Sequence, residues 1–149
     1  VNNAGVSVDI PLECVEMDVL RRQLEVNTIG PMRVTQALLG NLRSGSSKLM
    51  VHFTSGLGSI ENNTRGGFLG YRESKAALNM FNRSLAAELG DEGFTCVVMS
   101  PGWVQTDMGG AGATLTPGES IAGMKKVIGG LTVEDNGTYQ SWDGEILPW

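Results

Sequence analysis

The chain is short of the residues that usually build metal and thiol chemistry, with one histidine and two cysteines among its 149 residues. Cys14 and Cys96 have neither metal-ligand spacing nor a CxxC pattern, so no metal centre is expected. They read as reduced thiols of a cytoplasmic protein, with a disulfide as the lesser alternative. His52, the lone histidine, lies inside an apolar run rather than after one, and reads as a core position. No run of about 18 apolar residues occurs, which excludes a membrane-spanning helix of the usual kind. Lysine and arginine form no cluster, and a net charge of −5 with a pI near 4.8 argues against nucleic acid as a partner. There is no secretory or transit pattern, no internal repeat, no low-complexity tract and no linker, so a single cytoplasmic domain is expected.

What is abundant is glycine, 21 residues gathered where loops should lie, as expected where backbone closely approaches a ligand. The opening VNNAG reads as the end of a buried strand entering a turn. Lys48 to Ser55 and Phe94 to Gly102 are apolar, partly β-branched runs ended by Gly or Pro-Gly, expected as strands buried on both faces. Asp18 to Leu42 carries leucines at helical spacing, with Asp18 as a plausible N-cap. Tyr71 to Leu89 reads as a helix closed by Gly90. Thr116, Pro117 and Glu119 compose a capping box opening a helix that runs to Gly129-Gly130. The tail TYQSWDGEILPW reads as a last strand with an Asp143-Gly144 turn. Alternating strands and helices predict an α/β fold with parallel strands and right-handed crossovers.

Parallel sheets of this kind bind ligands beyond the carboxyl ends of their strands. NNAG, TSGLGS and PGWVQTDMGG all fall there. Further along, between the second and third of these, comes YRESK, in which Tyr71 and Lys75, four apart on a helix, share one face. A free phenol has a pKa of about 10, and a neighbouring ammonium is expected to lower it, making a pair able to exchange a proton with a carbonyl or hydroxyl oxygen. Asn27 stands four residues before Pro31, which has no N–H to give the Asn27 carbonyl, so a kink is expected there. Trp142 and Trp149 read as packing or interface residues, and GGAGATLTPG reads as a mobile lid.

Taken together, NNAG, the Asn of EVNTIGP, TSGLGSI, YRESKAALN and PGWVQTDM resemble, in order and approximate spacing, the short-chain dehydrogenase/reductase family over essentially the whole chain. YRESKAALNM, PGWVQTDMGG and the ending LPW look most like its carbonyl reductases of the sniffer type and C-factor-like proteins. The resemblance implies the C-terminal part of a Rossmann-like, doubly wound parallel sheet with helices on both faces, residues 1–149 being a partial domain without the glycine-rich opening motif. It implies a catalytic set of Asn27, Ser55, Tyr71 and Lys75. Ser59 is the rival of Ser55, because the step from Ser55 to Tyr71 is a few residues longer than the family's commonest.

The same resemblance implies contacts to a nicotinamide dinucleotide from Asn3, Ala4, Gly5, Tyr71, Lys75, Pro101, Gly102, Val104 and Thr106. NAD and NADP both remain open, with the subgroup leaning to NADP. It further implies reduction of a small-molecule carbonyl to an alcohol, or the reverse, in a homodimer or homotetramer. The alternative is a non-enzymatic signalling or binding protein of the C-factor kind, a group named for an intercellular developmental signal.

Overall fold

A computed structural model describes residues 1–149. Its sheet has three parallel strands in the order β1 (Leu49–Phe53), β2 (Thr95–Ser100) and β3 (Tyr139–Ser141). The opening stub adds to the free edge of β1, where Asn2 pairs in parallel with His52. Asn2 N–H donates to the Val51 carbonyl at 2.9 Å and Phe53 N–H to the Asn2 carbonyl at 2.8 Å. All four extended segments run in one direction, so their carboxyl ends share one edge of the sheet. The three glycine-bearing loops therefore emerge together.

Four helices accompany the strands: α1 (Met17–Leu24), α2 (Gly30–Ser44), α3 (Tyr71–Leu89) and α4 (Pro117–Gly130). Side-chain alternation along β1 sorts them onto two faces. Met50 and Cys96 pack with Ala86 and Leu89 of α3 and with Leu39 and Leu42 of α2. Val51 and Met99 face the other way, against Met124, Val127 and Ile128 of α4 and against Trp142. Every residue of β2 is buried, which explains a run with no polar alternation. Each valine or methionine so enclosed contributes about 1.5–3 kcal/mol. The sheet is thus covered on both faces, as a doubly wound α/β fold requires.

Two details depart from the sequence expectation. The connections through α3 and α4 both step in the direction β1 to β2 to β3, yet their helices lie on opposite faces. They are therefore of opposite hand, and the expected run of right-handed crossovers breaks at α4. The expected single helix from Asp18 to Leu42 is instead α1 and α2 joined by a π turn over Glu25–Ile29. Pro31 is the physical reason, since it cannot supply the next helical N–H, and Gly30 N–H closes back onto the Glu25 carbonyl. Glu16, not Asp18, is the N-cap of α1.

The remaining boundaries shift little. Gly90 opens a 3-10 turn, and the left-handed residue ending that excursion is Gly93, at φ +84°. The capping box of Thr116 and Glu119 stands as expected. Cys14 is exposed and Cys96 buried, both as free thiols. GGAGATLTPG is tied back through Leu115, whose N–H donates to the Trp103 carbonyl and whose carbonyl accepts from Gln105 N–H. No helix is long and apolar enough to cross a membrane.

Candidate active site

Tyr71 is the first residue of α3, and Gly70 before it turns the chain at φ +84°, a conformation that glycine adopts without strain. A side chain at Gly70 would stand 2.5 Å from Gln23 Nε2, so this turn also needs the space. Gly70 N–H donates to the Glu73 carboxylate, while Gln23 donates to the Leu69 carbonyl and accepts from Val8 N–H. The entry into α3 is thereby held to the π turn and to the opening loop.

The π turn directs Asn27 and Thr28 inward. Asn27 is fully enclosed, its Oδ1 accepting from Val6 N–H at 2.8 Å and its Nδ2 donating to the Val6 carbonyl at 2.8 Å and to Ser74 Oγ at 2.9 Å. Thr28 Oγ1 donates to the Ser74 carbonyl at 2.7 Å. The Asn27 side chain thus has both its atoms engaged in fixing the NNAG loop against α3. Gly5 of that loop lies beside Asn27 Oδ1 and Lys75 Nζ, and an added Cβ would sit 3.5 and 3.6 Å from them.

Lys75 is one turn beyond Tyr71. Its Nζ donates to the Phe53 carbonyl at 2.9 Å at the end of β1 and lies 5.7 Å from the centre of the Tyr71 ring. Burial pushes the ammonium down to about 8, because no carboxylate compensates its desolvation. Tyr71 moves opposite to the sequence expectation. Burial raises its pKa, and what opposes the rise is the Ser55 hydroxyl beside it rather than Lys75. The phenol is therefore held protonated at neutral pH, the form that can donate a proton.

Ser55 and Ser59 have different surroundings. Ser55 caps the 3-10 turn Gly56–Gly58, its Oγ accepting from Leu57 N–H at 3.2 Å, which leaves its own O–H free to donate. Ser59 Oγ accepts from Asn62 N–H and donates to the Trp149 carbonyl, tying its loop to the chain end. The structure brings Asn27, Lys75 and Gly5 together, and Ser55 and Tyr71 together; Ser59 is engaged elsewhere.

Asn3 and Ala4 are exposed at the same sheet edge, as is Thr106, while Pro101, Gly102 and Val104 are half-buried. Gly102, at φ +78°, could not carry a side chain without meeting Leu115 and Trp142 at 2.5 and 2.9 Å. Ser100 Oγ accepts from both Gly56 N–H and Gly102 N–H, coupling the loops after β1 and β2. Sequence reasoning passed over Ser74 and Ser100. Ser74 lies inside YRESK at the spacing that places it one turn from Tyr71, and Ser100 immediately precedes Pro-Gly at a strand end. His52 lies in the core as expected, between Thr35 Oγ1 at 3.4 Å and Asn82 Oδ1 at 3.1 Å.

Comparison with known proteins fits this geometry. The C-signal of Myxococcus xanthus is 47% identical over 153 residues, covering all of this chain and 90% of that protein. The carbonyl reductase Sniffer of D. melanogaster superposes with a TM-score of 0.96 at 33% identity. An NADPH-bound carbonyl reductase from chicken fatty liver does so with 0.93 at 33%. The present chain is covered to 99% in both superpositions but spans only 64% of each of those chains. The family model for short chain dehydrogenases matches residues 1–114, a stretch that holds the opening loop, Asn27, Ser55, Tyr71, Lys75 and the loop after β2. With that much of its length inside the family's pattern and its fold superposing on reductases, the chain belongs to the short chain dehydrogenases.

Proposed function

We propose that the protein is an NAD(P)-dependent oxidoreductase that reduces a small-molecule aldehyde or ketone to an alcohol, or runs the reverse reaction. The observation that carries this reading is the pairing of a buried, protonated Tyr71 with a Ser55 hydroxyl that accepts from Leu57 N–H and has its own O–H free to donate. A substrate oxygen set between them would meet two O–H donors. A carbonyl oxygen placed there receives a hydrogen bond from Ser55 and the proton from Tyr71 as negative charge develops on it. Lys75, its ammonium pKa lowered to about 8, keeps its Nζ 5.7 Å from the centre of the Tyr71 ring, and Asn27 holds the NNAG loop and α3 in register around it.

The residues present fit a nicotinamide dinucleotide. Gly5 leaves the approach to Lys75 Nζ clear of any side chain, and the exposed Asn3, Ala4 and Thr106 share the same sheet edge with Tyr71, Pro101, Gly102 and Val104. When bound, that cofactor supplies the hydride equivalent. The NADPH-bound avian relative favours NADP over NAD. A homodimer or homotetramer would use the exposed Leu38 of α2 and Met80 of α3.

The test is Tyr71→Phe, assayed by oxidation of reduced dinucleotide against a panel of aldehydes and ketones, with dinucleotide binding measured alongside. Turnover is expected to vanish while binding persists, and substantial remaining turnover would refute the assignment. A second reading, a non-enzymatic signal or binding protein, is favoured by one observation: the chain is 47% identical to C-signal over 153 residues. Biological activity that survives Tyr71→Phe and needs no dinucleotide would select it.

A further inference from the structure

We infer that Tyr139 and Ser100 are positioning residues that clamp the Ser55–Gly56 peptide unit and so hold the Ser55 hydroxyl against Tyr71. The inference rests on the reading of Ser55 and Tyr71 as the two donors of the proposed reaction. Tyr139, in β3, is almost wholly enclosed, and its hydroxyl donates to the Ser55 carbonyl at 2.5 Å. Ser100, at the end of β2, accepts from Gly56 N–H at 3.1 Å. The two ends of one peptide unit are thus pinned from two different strands, leaving its plane no freedom to rotate.

The far end of the same turn is held as well. Asn79 Nδ2 donates to the Gly58 carbonyl at 3.2 Å, and Gly58 packs so closely on Lys75 that an added Cβ would meet the Lys75 Cβ at 2.9 Å. A loop after a strand would otherwise sample many conformations, and a donor that wanders by an ångström loses most of its effect on a reacting oxygen. Burying a phenol in a strand costs desolvation of its hydroxyl unless that group finds a partner. Here the partner is the carbonyl of a candidate active-site residue. The two hydroxyls also sense each other, since proximity to Tyr71, after burial, helps push the Tyr139 phenol up to about 12.

The chain contains only these two tyrosines. Replacing both biosynthetically with difluorotyrosine lowers their titrations below the strongly alkaline range and gives each ring its own 19F signal. In Tyr139→Phe the single remaining signal is Tyr71. Its pKa is expected to rise by about half to one pH unit, the size of one weakened hydrogen bond, as Ser55 loosens. Ser55→Ala should raise it similarly, and the double variant should go no further than Ser55→Ala alone. Ser100→Ala, which frees the other end of the peptide unit, should also raise it and serves if Tyr139→Phe does not fold. An unmoved Tyr71 titration in a folded Tyr139→Phe or Ser100→Ala chain, with Ser55→Ala still raising it, overturns the inference. No shift in Ser55→Ala overturns instead the Ser55–Tyr71 pairing on which it depends.

Discussion

Replacing Lys75 by methionine should stabilise the chain at neutral pH, because the fold holds an ammonium where water cannot reach it. Lys75 is 4% exposed, and burial moves its pKa from 10.5 to about 8. At 1.36 kcal/mol per pH unit this is a cost of about 3 kcal/mol whenever both folded and unfolded chains carry the proton, that is, below pH 8. Methionine fills a similar volume without the charge, but leaves the Phe53 carbonyl without its donor, which returns about 1 kcal/mol. The net gain at pH 7 is about 2 kcal/mol. Between pH 8 and 10.5 the unfolded chain binds more protons than the folded one, so the stability of the natural chain rises with pH and the advantage of Lys75→Met shrinks. By the upper end only the lost Phe53 contact remains, and the variant becomes the less stable of the two. Urea unfolding of both chains from neutral to alkaline pH reads this directly. A variant less stable at pH 7, or a difference that does not change with pH, would refute the reasoning. The expected exchange of stability against function is what a residue kept for its charge should show.

His52 tests the opposite end of the pH scale. Burial lowers its pKa below 6.5, so as pH falls through that value the unfolded chain takes a proton that the folded chain refuses, and stability is lost. His52→Gln should flatten the fall in urea midpoint between about pH 7 and pH 5; an unchanged slope would mean that other groups carry it. Gly58→Ala should lower stability by about 1–3 kcal/mol, since the new methyl meets Lys75 Cβ at 2.9 Å and its backbone carbon at 3.1 Å. Gly56→Ala, with open space around it, is the control, and equal thermal midpoints for the two variants would contradict the packing argument.

The sequence alone determined most of the elements and their order, though not the π turn that divides α1 from α2, because hydrophobic runs, caps and glycines act within a few residues. The strand at Leu49–Phe53, the helix Tyr71–Leu89 and the Thr116 capping box are local consequences of chain chemistry. It also placed Tyr71 and Lys75 on one face, since helical periodicity alone does that. What only the tertiary structure decided concerns groups far apart in the chain. Asn27 finds Val6 and Ser74, and Tyr139 reaches Ser55 across 84 residues, through contacts that no spacing rule encodes. Electrostatics belongs to the same class. From sequence, Lys75 should lower the pKa of Tyr71, but both side chains are buried, and desolvation raises the phenol and lowers the ammonium, with Ser55 rather than Lys75 opposing the rise at Tyr71. Opposite hands for the α3 and α4 crossovers follow from which sheet face each helix covers, and in a strand buried on both faces the hydrophobic pattern is equally apolar toward either one.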